Sequence, residues 1–247
     1  MAITQSAGVA RHRADDRPLF VIAAIAFAAI VLVGFARSYY LRGLVVAPLP
    51  SRWVHAHALL MTAWVALFAG QVWLVRSHNL AWHRRMGAAG IVLAVLIGAT
   101  GFVTALGLGQ HGSPAIPAGI PPLAFMIVPI ADLTLFAGFV ATAVLLRRRP
   151  ATHKRLMLLS ALALLPPALA RIPLGDLAAL APLIFFGVPA LLTIGALIYD
   201  SVRHRRVNVA FLVGGVLLIL SFPLRMLLMG TSGWMRAATW LVQFAPG

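Results

Sequence analysis

Two histidines occupy matching places in matching phrases, Trp82-His83-Arg84-Arg85-Met86 and Thr152-His153-Lys154-Arg155-Leu156. Neutral imidazoles entering a helix bundle at one depth are what bis-histidine haem b ligation, or half of a copper site, requires. The alternative is that both histidines sit among Lys and Arg residues that anchor and orient helix ends. A third histidine, His57, heads a stripe with Met61, Trp64, Phe68 and Gln71 at helical spacing. It is either a haem or metal ligand or a hydrogen-bonded buried histidine. Asp132 is the one acid well inside an apolar run, where an unpaired carboxylate costs several kcal/mol, and its candidate partners are Arg171, Arg225 and His57. Such a pair would lock helices together. Alternatively the arginines would hold an anion such as a haem propionate or a substrate carboxylate, because guanidinium forks match carboxylates. The expectation is therefore a buried polar cluster of His57, Asp132, Arg171 and Arg225. The cofactor-binding candidates are His57, His83, His153, Arg171 and Arg225, with haem b the cofactor in view and otherwise none.

These residues need elements to position them, and composition determines which. Hydrophobic residues make up 62% of the 247-residue chain, charged residues 10%, and the mean hydropathy is +0.96. A globule of this size cannot bury that much apolar surface, so the solvent is lipid. Each apolar run has the length that crosses a ~30 Å hydrocarbon core as a helix. Seven spans are expected: Leu19 to Ala36, Val54 to Val75, Met86 to Leu106, Leu123 to Leu146, Leu156 to Leu174, Leu177 to Tyr199 and Val207 to Met229. The class is all-α, a polytopic membrane protein with a tail at 1–17, a bundle at 18–229 and an interfacial segment at 230–247, where Trp234, Arg236 and Trp240 suggest a helix lying flat on the membrane.

The formal net charge of +15 invites a nucleic-acid reading, which the placement of the charges removes. Of the 20 Lys and Arg, fourteen lie before span one or between spans two and three, four and five, and six and seven; six lie on the other side. By the positive-inside rule the N-terminus is cytoplasmic and the C-terminus periplasmic, in the inner membrane of a bacterium. Anionic lipid is then the partner of the basic residues, with other membrane subunits as further partners and no nucleic acid. Span one could alternatively be a cleaved signal sequence ending at Gly34-Phe35-Ala36, although its apolar core is longer than is usual for one. The absence of cysteine excludes disulfides, thiolate nucleophiles and iron–sulfur ligation.

A second match supports duplication. Leu67-Phe68-Ala69-Gly70 recurs as Leu135-Phe136-Ala137-Gly138 at an offset of 68, close to the offset of 70 between His83 and His153, so spans two to five are expected to form a duplicated four-helix core with a parallel repeat. Gly107 to Pro122 reads as an outer loop, and Pro129, Pro166-Pro167, Pro189 and Pro223 as kinks that can free carbonyls. A retinal protein is excluded because the single lysine, Lys154, lies at an interface. Walker, GxSxG and HExxH motifs are lacking.

His57-Ala58-Leu59-Leu60-Met61-Thr62-Ala63-Trp64, His83-Arg84-Arg85-Met86-Gly87, Asp132 after Pro129, His153-Lys154-Arg155-Leu156-Met157 and Ala170-Arg171-Ile172-Pro173 resemble a widespread group of bacterial seven-helix membrane proteins of unassigned function. The resemblance runs from Trp53 to Arg225. The His-[Arg/Lys]-Arg-[Met/Leu] helix openings are also similar to membrane proteins implicated in cytochrome oxidase assembly, and faintly to transmembrane cytochromes b. The paired mid-membrane histidines of the latter are lacking, which argues against two-haem transfer across the bilayer. The resemblance implies a haem- or metal-associated protein in, or attached to, a respiratory or other energy-converting complex. The alternatives are a cofactor-free accessory subunit and a small-anion carrier using Asp132, Arg171 and Arg225.

Overall fold

In lipid a backbone must satisfy its own hydrogen bonds, and the described residues of this chain do so with helices, without strands. The computed structural model describes residues 17–44, 51–114, 116–175, 180–181 and 183–246, and no strand occurs among them. The expected tail, 1–17, lies outside the described residues except for Arg17, as does the expected start of span six at Leu177. The helices are α1 Arg17–Phe35, α2 Arg52–Arg76, α3 Leu80–His111, α4 Pro122–Phe125, α5 Ile127–Leu145, α6 Pro150–Ala163, α7 Pro166–Leu169, α8 Val188–His204, α9 Val209–Leu228 and α10 Ser232–Leu241. Single π turns extend α1 over Ala36–Tyr40 and precede α8 over Leu183–Gly187.

Local chemistry sets the boundaries. Ser51, Asn79, Asn208 and Thr231 each accept a hydrogen bond from a first-turn N–H of α2, α3, α9 and α10 respectively, satisfying donors that a helix start leaves unpaired. Proline makes the interruptions. Pro129 cannot donate to Phe125, and the chain steps from α4 to α5 at Met126. Pro166 and Pro167 end α6 and restart the chain as the single turn α7.

Pairwise packing closes a ring: α1 lies on α2, α2 on α3, α3 on α5, α5 on α6, and α6 with α7 on α1. Its interior is aromatic, with Phe27 edge-on to Phe68 and Trp64 edge-on to Phe136, the latter two rings 5.0 Å apart. Helix α9 covers α5 and α6 from outside, and α8 covers α9 and α6. Glycine makes these approaches possible at two places. A Cβ on Gly34 would fall 2.2 Å from the Ala168 carbonyl oxygen, and one on Gly214 would fall 2.4 Å from a Leu159 methyl.

Six segments among the described residues are long and apolar enough to cross a membrane: Pro18–Tyr40, Arg52–Arg76, Leu80–His111, Pro122–Leu145, Leu183–His204 and Val209–Leu228. The chain is thus a helical membrane protein. The expected fifth span, Leu156 to Leu174, differs from expectation. It is a 14-residue helix and one further turn, broken at the proline pair, and nearly every residue from Leu156 to Leu165 is buried by other helices rather than presented to lipid. It nevertheless runs alongside α1. The Lys154 ammonium lies 5.4 Å from the Phe20 ring, Ala168 meets Gly34, and the Arg171 guanidinium lies 4.7 Å from the Phe35 ring. Phe20 to Gly34 is ~21 Å of helix. The four helices of the expected duplicated core do not close on one another either, because α1 stands between α2 and α6.

The expected flat-lying C-terminal helix is docked on the bundle. In α10, Ala238 is fully buried against Ala105, Leu106 and Met126, and the Trp234 indole N–H donates to the Leu123 carbonyl at 3.0 Å. Trp240 stays exposed on its other face, stacked edge-on against Phe244.

Candidate functional site

One end of the bundle collects Arg76, Arg84, Arg85, Arg147–Arg149 and Arg203–Arg206 at the ends of α2, α5 and α8 and the start of α3, and here His83 and His153 come together. Their ring centres are 6.4 Å apart with planes at 85°. Each ring sits in the first turn or so of the second helix of a hairpin and is tied through Nδ1 to the first helix of that hairpin. His153 Nδ1 lies 2.9 Å from the Ala143 carbonyl oxygen of α5. A carbonyl can only accept, so Nδ1 carries the proton and Nε2 keeps its lone pair. His83 Nδ1 faces the Gln71 side chain of α2. In the amide orientation that satisfies both ends, Gln71 donates to His83 Nδ1 at 2.5 Å and to the His83 carbonyl at 3.3 Å, and its oxygen accepts from the Gly87 N–H at 2.9 Å. No described hydrogen bond engages Nε2 of either ring.

His83 and His153 are the two residues at this end that would hold a metal or haem iron, and their 6.4 Å ring spacing leaves room for one atom between two imidazoles. His153 also has the hydrogen bond typical of a ligating histidine, a backbone carbonyl on the remote N–H. Among the described residues no group of three or more His, Cys, Asp or Glu gathers as a metal cage, so a closed protein-only site of the structural-zinc type is not formed there.

The four residues expected as one buried polar cluster are not joined by the described hydrogen bonds and ion pairs. Asp132 pairs with Arg225, not with Arg171. The Arg225 Nη1 donates to Asp132 Oδ1 at 2.5 Å and its Nη2 to Ser221 Oγ at 3.1 Å, with both charged side chains almost wholly enclosed. The fit is incomplete, because Asp132 Oδ2 and Arg225 Nε are buried without partners. Arg171 instead donates to the Pro167 carbonyl at 2.6 Å and stacks on Phe35. His57, in α2, packs against α3: its Nδ1 is 3.1 Å from Thr100 Oγ1, and its Cε1 occupies the space a side chain at Gly101 would need. The Thr100 hydroxyl already donates to Leu96 at 2.8 Å, so His57 Nδ1 is the donor and its Nε2 is the acceptor edge.

Sequence reasoning missed a second enclosed ion pair. Arg155 reads as one more anchoring cation, yet it is 3% exposed and grips Asp200 of α8 with both edges of the fork, Nε to Oδ2 at 2.8 Å and Nη2 to Oδ1 at 2.6 Å. Its remaining Nη1 donates to the Ala151 carbonyl. His204, one turn beyond Asp200, donates from Nδ1 to the Asp200 carbonyl at 2.9 Å and lies 3.4 Å from Oδ1. The available signal was the Asp200/His204 spacing of four at the end of an apolar run.

Fold and site together define a polytopic helical membrane protein with two buried Arg–Asp clamps and a histidine pair at its basic end. Compared with protein-family models, curated proteins and solved structures, the chain matches none.

Proposed function

We propose that this is a bacterial inner-membrane protein that holds one haem b between His83 and His153 at its cytoplasmic face, within or attached to a respiratory or other energy-converting complex. The observation that carries the reading is the 6.4 Å separation of the two rings, each presented by an equivalent position of two similar hairpins. The equivalence supports the parallel duplication: Phe68 and Phe136 both point into the ring interior, and in each hairpin the histidine is fastened through Nδ1 to the preceding helix. The buried segment α6–α7 counts in this reading as the seventh crossing, since it follows α1 from Phe20 to Phe35. That count agrees with the charge asymmetry, N-terminus inside and C-terminus in the periplasm. When bound, haem b would supply one-electron chemistry. His83 and His153 would hold the iron, and the exposed arginines beside them, Arg84 and Arg85, suit carboxylate side groups of a porphyrin.

Expression under haem-replete conditions followed by absorption spectroscopy of the purified protein tests this. A Soret band that His83→Ala and His153→Ala each weaken is expected; a colourless wild-type protein overturns it.

A second reading, a cofactor-free accessory subunit, draws on the two Arg–Asp clamps, which close on each other and leave their arginines committed. The small-anion carrier is the weaker proposal for the same reason: Arg225 is taken by Asp132, and Arg171 by Pro167 and Phe35.

A further inference from the structure

We infer that Gln71 sets the tautomer of His83 and is thereby the positioning residue that decides whether this histidine can serve as a ligand. The inference rests on the haem reading above and extends it to a residue that touches neither iron nor porphyrin in that reading.

The two histidines of the pair are held differently. Ala143 offers His153 a carbonyl, which fixes the proton on Nδ1 and leaves Nε2 ready to bind a metal. Gln71 offers His83 an amide, and an amide has two ends. With its oxygen held by the Gly87 N–H and its nitrogen toward Nδ1, the amide donates, so His83 must carry its proton on Nε2. In that state the edge of His83 left unengaged is N–H, and it cannot bind iron. The two rings are then a complementary donor and acceptor, Nε2–H on His83 and an Nε2 lone pair on His153, at a spacing of 6.4 Å between centres.

Turning the Gln71 amide by a half rotation reverses the assignment. Its oxygen would accept from His83 Nδ1–H and free Nε2 as a ligand, at the loss of the contacts with the Gly87 N–H and the His83 carbonyl. Gly87 is well placed to permit this, because its N–H lies within the α3 ladder and keeps its helical partner when the Gln71 oxygen leaves. Metal binding at this site would therefore be coupled to the rotation of one side-chain amide. A residue that can only accept at position 71 would remove the coupling and pre-set the ligand tautomer.

The experiment uses the full chain in detergent micelles, labelled with ¹⁵N-histidine, without haem and then titrated with haemin. In the haem-free wild type, the His83 ring nitrogens should report a proton on Nε2 and those of His153 a proton on Nδ1. Gln71→Glu should move the His83 proton to Nδ1 and tighten haemin binding by roughly 10-fold or more, the scale on which outer-shell partners act. Gln71→Leu, which removes charge and hydrogen bonding alike, should leave His83 as a mixture of tautomers. A wild-type His83 with Nδ1 protonated, or one whose tautomer is the same in all three proteins, overturns the inference. Failure of the haem reading would look different: the tautomers would follow residue 71 as described while haemin failed to bind between the histidines.

Discussion

Replacing Asp132 by Asn should destabilise the bundle more than almost any other single polar substitution. The partner Arg225 is 2% exposed, its Nη1 lies 2.5 Å from the carboxylate, and its remaining contact is one hydroxyl, Ser221. Asparagine keeps an acceptor but removes the charge, stranding a guanidinium in low dielectric at a cost of roughly 3–5 kcal/mol. The pair is not an optimised one, since Asp132 Oδ2 and Arg225 Nε are both buried without partners, each a defect of about 1–3 kcal/mol. The double replacement Asp132→Leu with Arg225→Met should therefore return to within about 1 kcal/mol of wild type or exceed it, as apolar replacements of buried pairs often do. Arg171 supplies the control. It reaches Pro167 and Phe35 instead, so Asp132→Asn and Arg171→Gln should add within about 0.5 kcal/mol. Reversible unfolding in mixed micelles for the four-member cycles measures both couplings. Additivity of the Asp132 and Arg225 single substitutions would refute the reasoning.

The second clamp gives a parallel expectation: Asp200→Asn and Arg155→Gln should each cost roughly 3–5 kcal/mol and couple strongly, detected as a fall in thermal midpoint that the double mutant does not deepen. Gly34→Ala should lower the midpoint clearly, because the new Cβ meets the Ala168 backbone, whereas Gly70→Ala, with no atom within 4 Å, should be neutral or raise stability by up to about 1 kcal/mol. Equal effects of the two changes would contradict the α1–α7 contact. Reporter fusions at Arg148 and His111 should report opposite sides of the membrane, Arg148 cytoplasmic; the same side for both removes the topology.

Much of this architecture was legible in the sequence because lipid imposes it. Apolar runs of bilayer length located α1, α2, α5 and α9 to within about four residues, whereas α3 extends five to six residues beyond the expected span at each end, starting at the Asn79 cap. The proline pair Pro166-Pro167 was visible, but whether it kinks one crossing or splits it into α6 and α7 depends on neighbours such as Gly34, which sequence does not place. Repetition brought His83 and His153 into view, and they do lie together. Partner choice was not readable. Asp132 and Arg225 are 93 residues apart, and Arg171 was equally plausible until helix packing placed it on Phe35. Asp200 escaped notice because an acid at the end of an apolar run is ordinary in a solvated interface; only the position of α8 against α6 encloses it. Gln71 read as one member of a stripe, and its importance comes from the loop that folds α3 back beside it.

Electron paramagnetic resonance of the oxidised protein, with a haem assay on the same sample, tests whether His83 and His153 hold a single haem. If His83 and His153 both hold the iron, one haem per chain with a low-spin ferric signal is expected, and His83→Ala and His153→Ala should each convert it to high spin. A protein purified from haem-replete cells with no haem, or with a haem whose spin state is unchanged by both substitutions, would contradict the account.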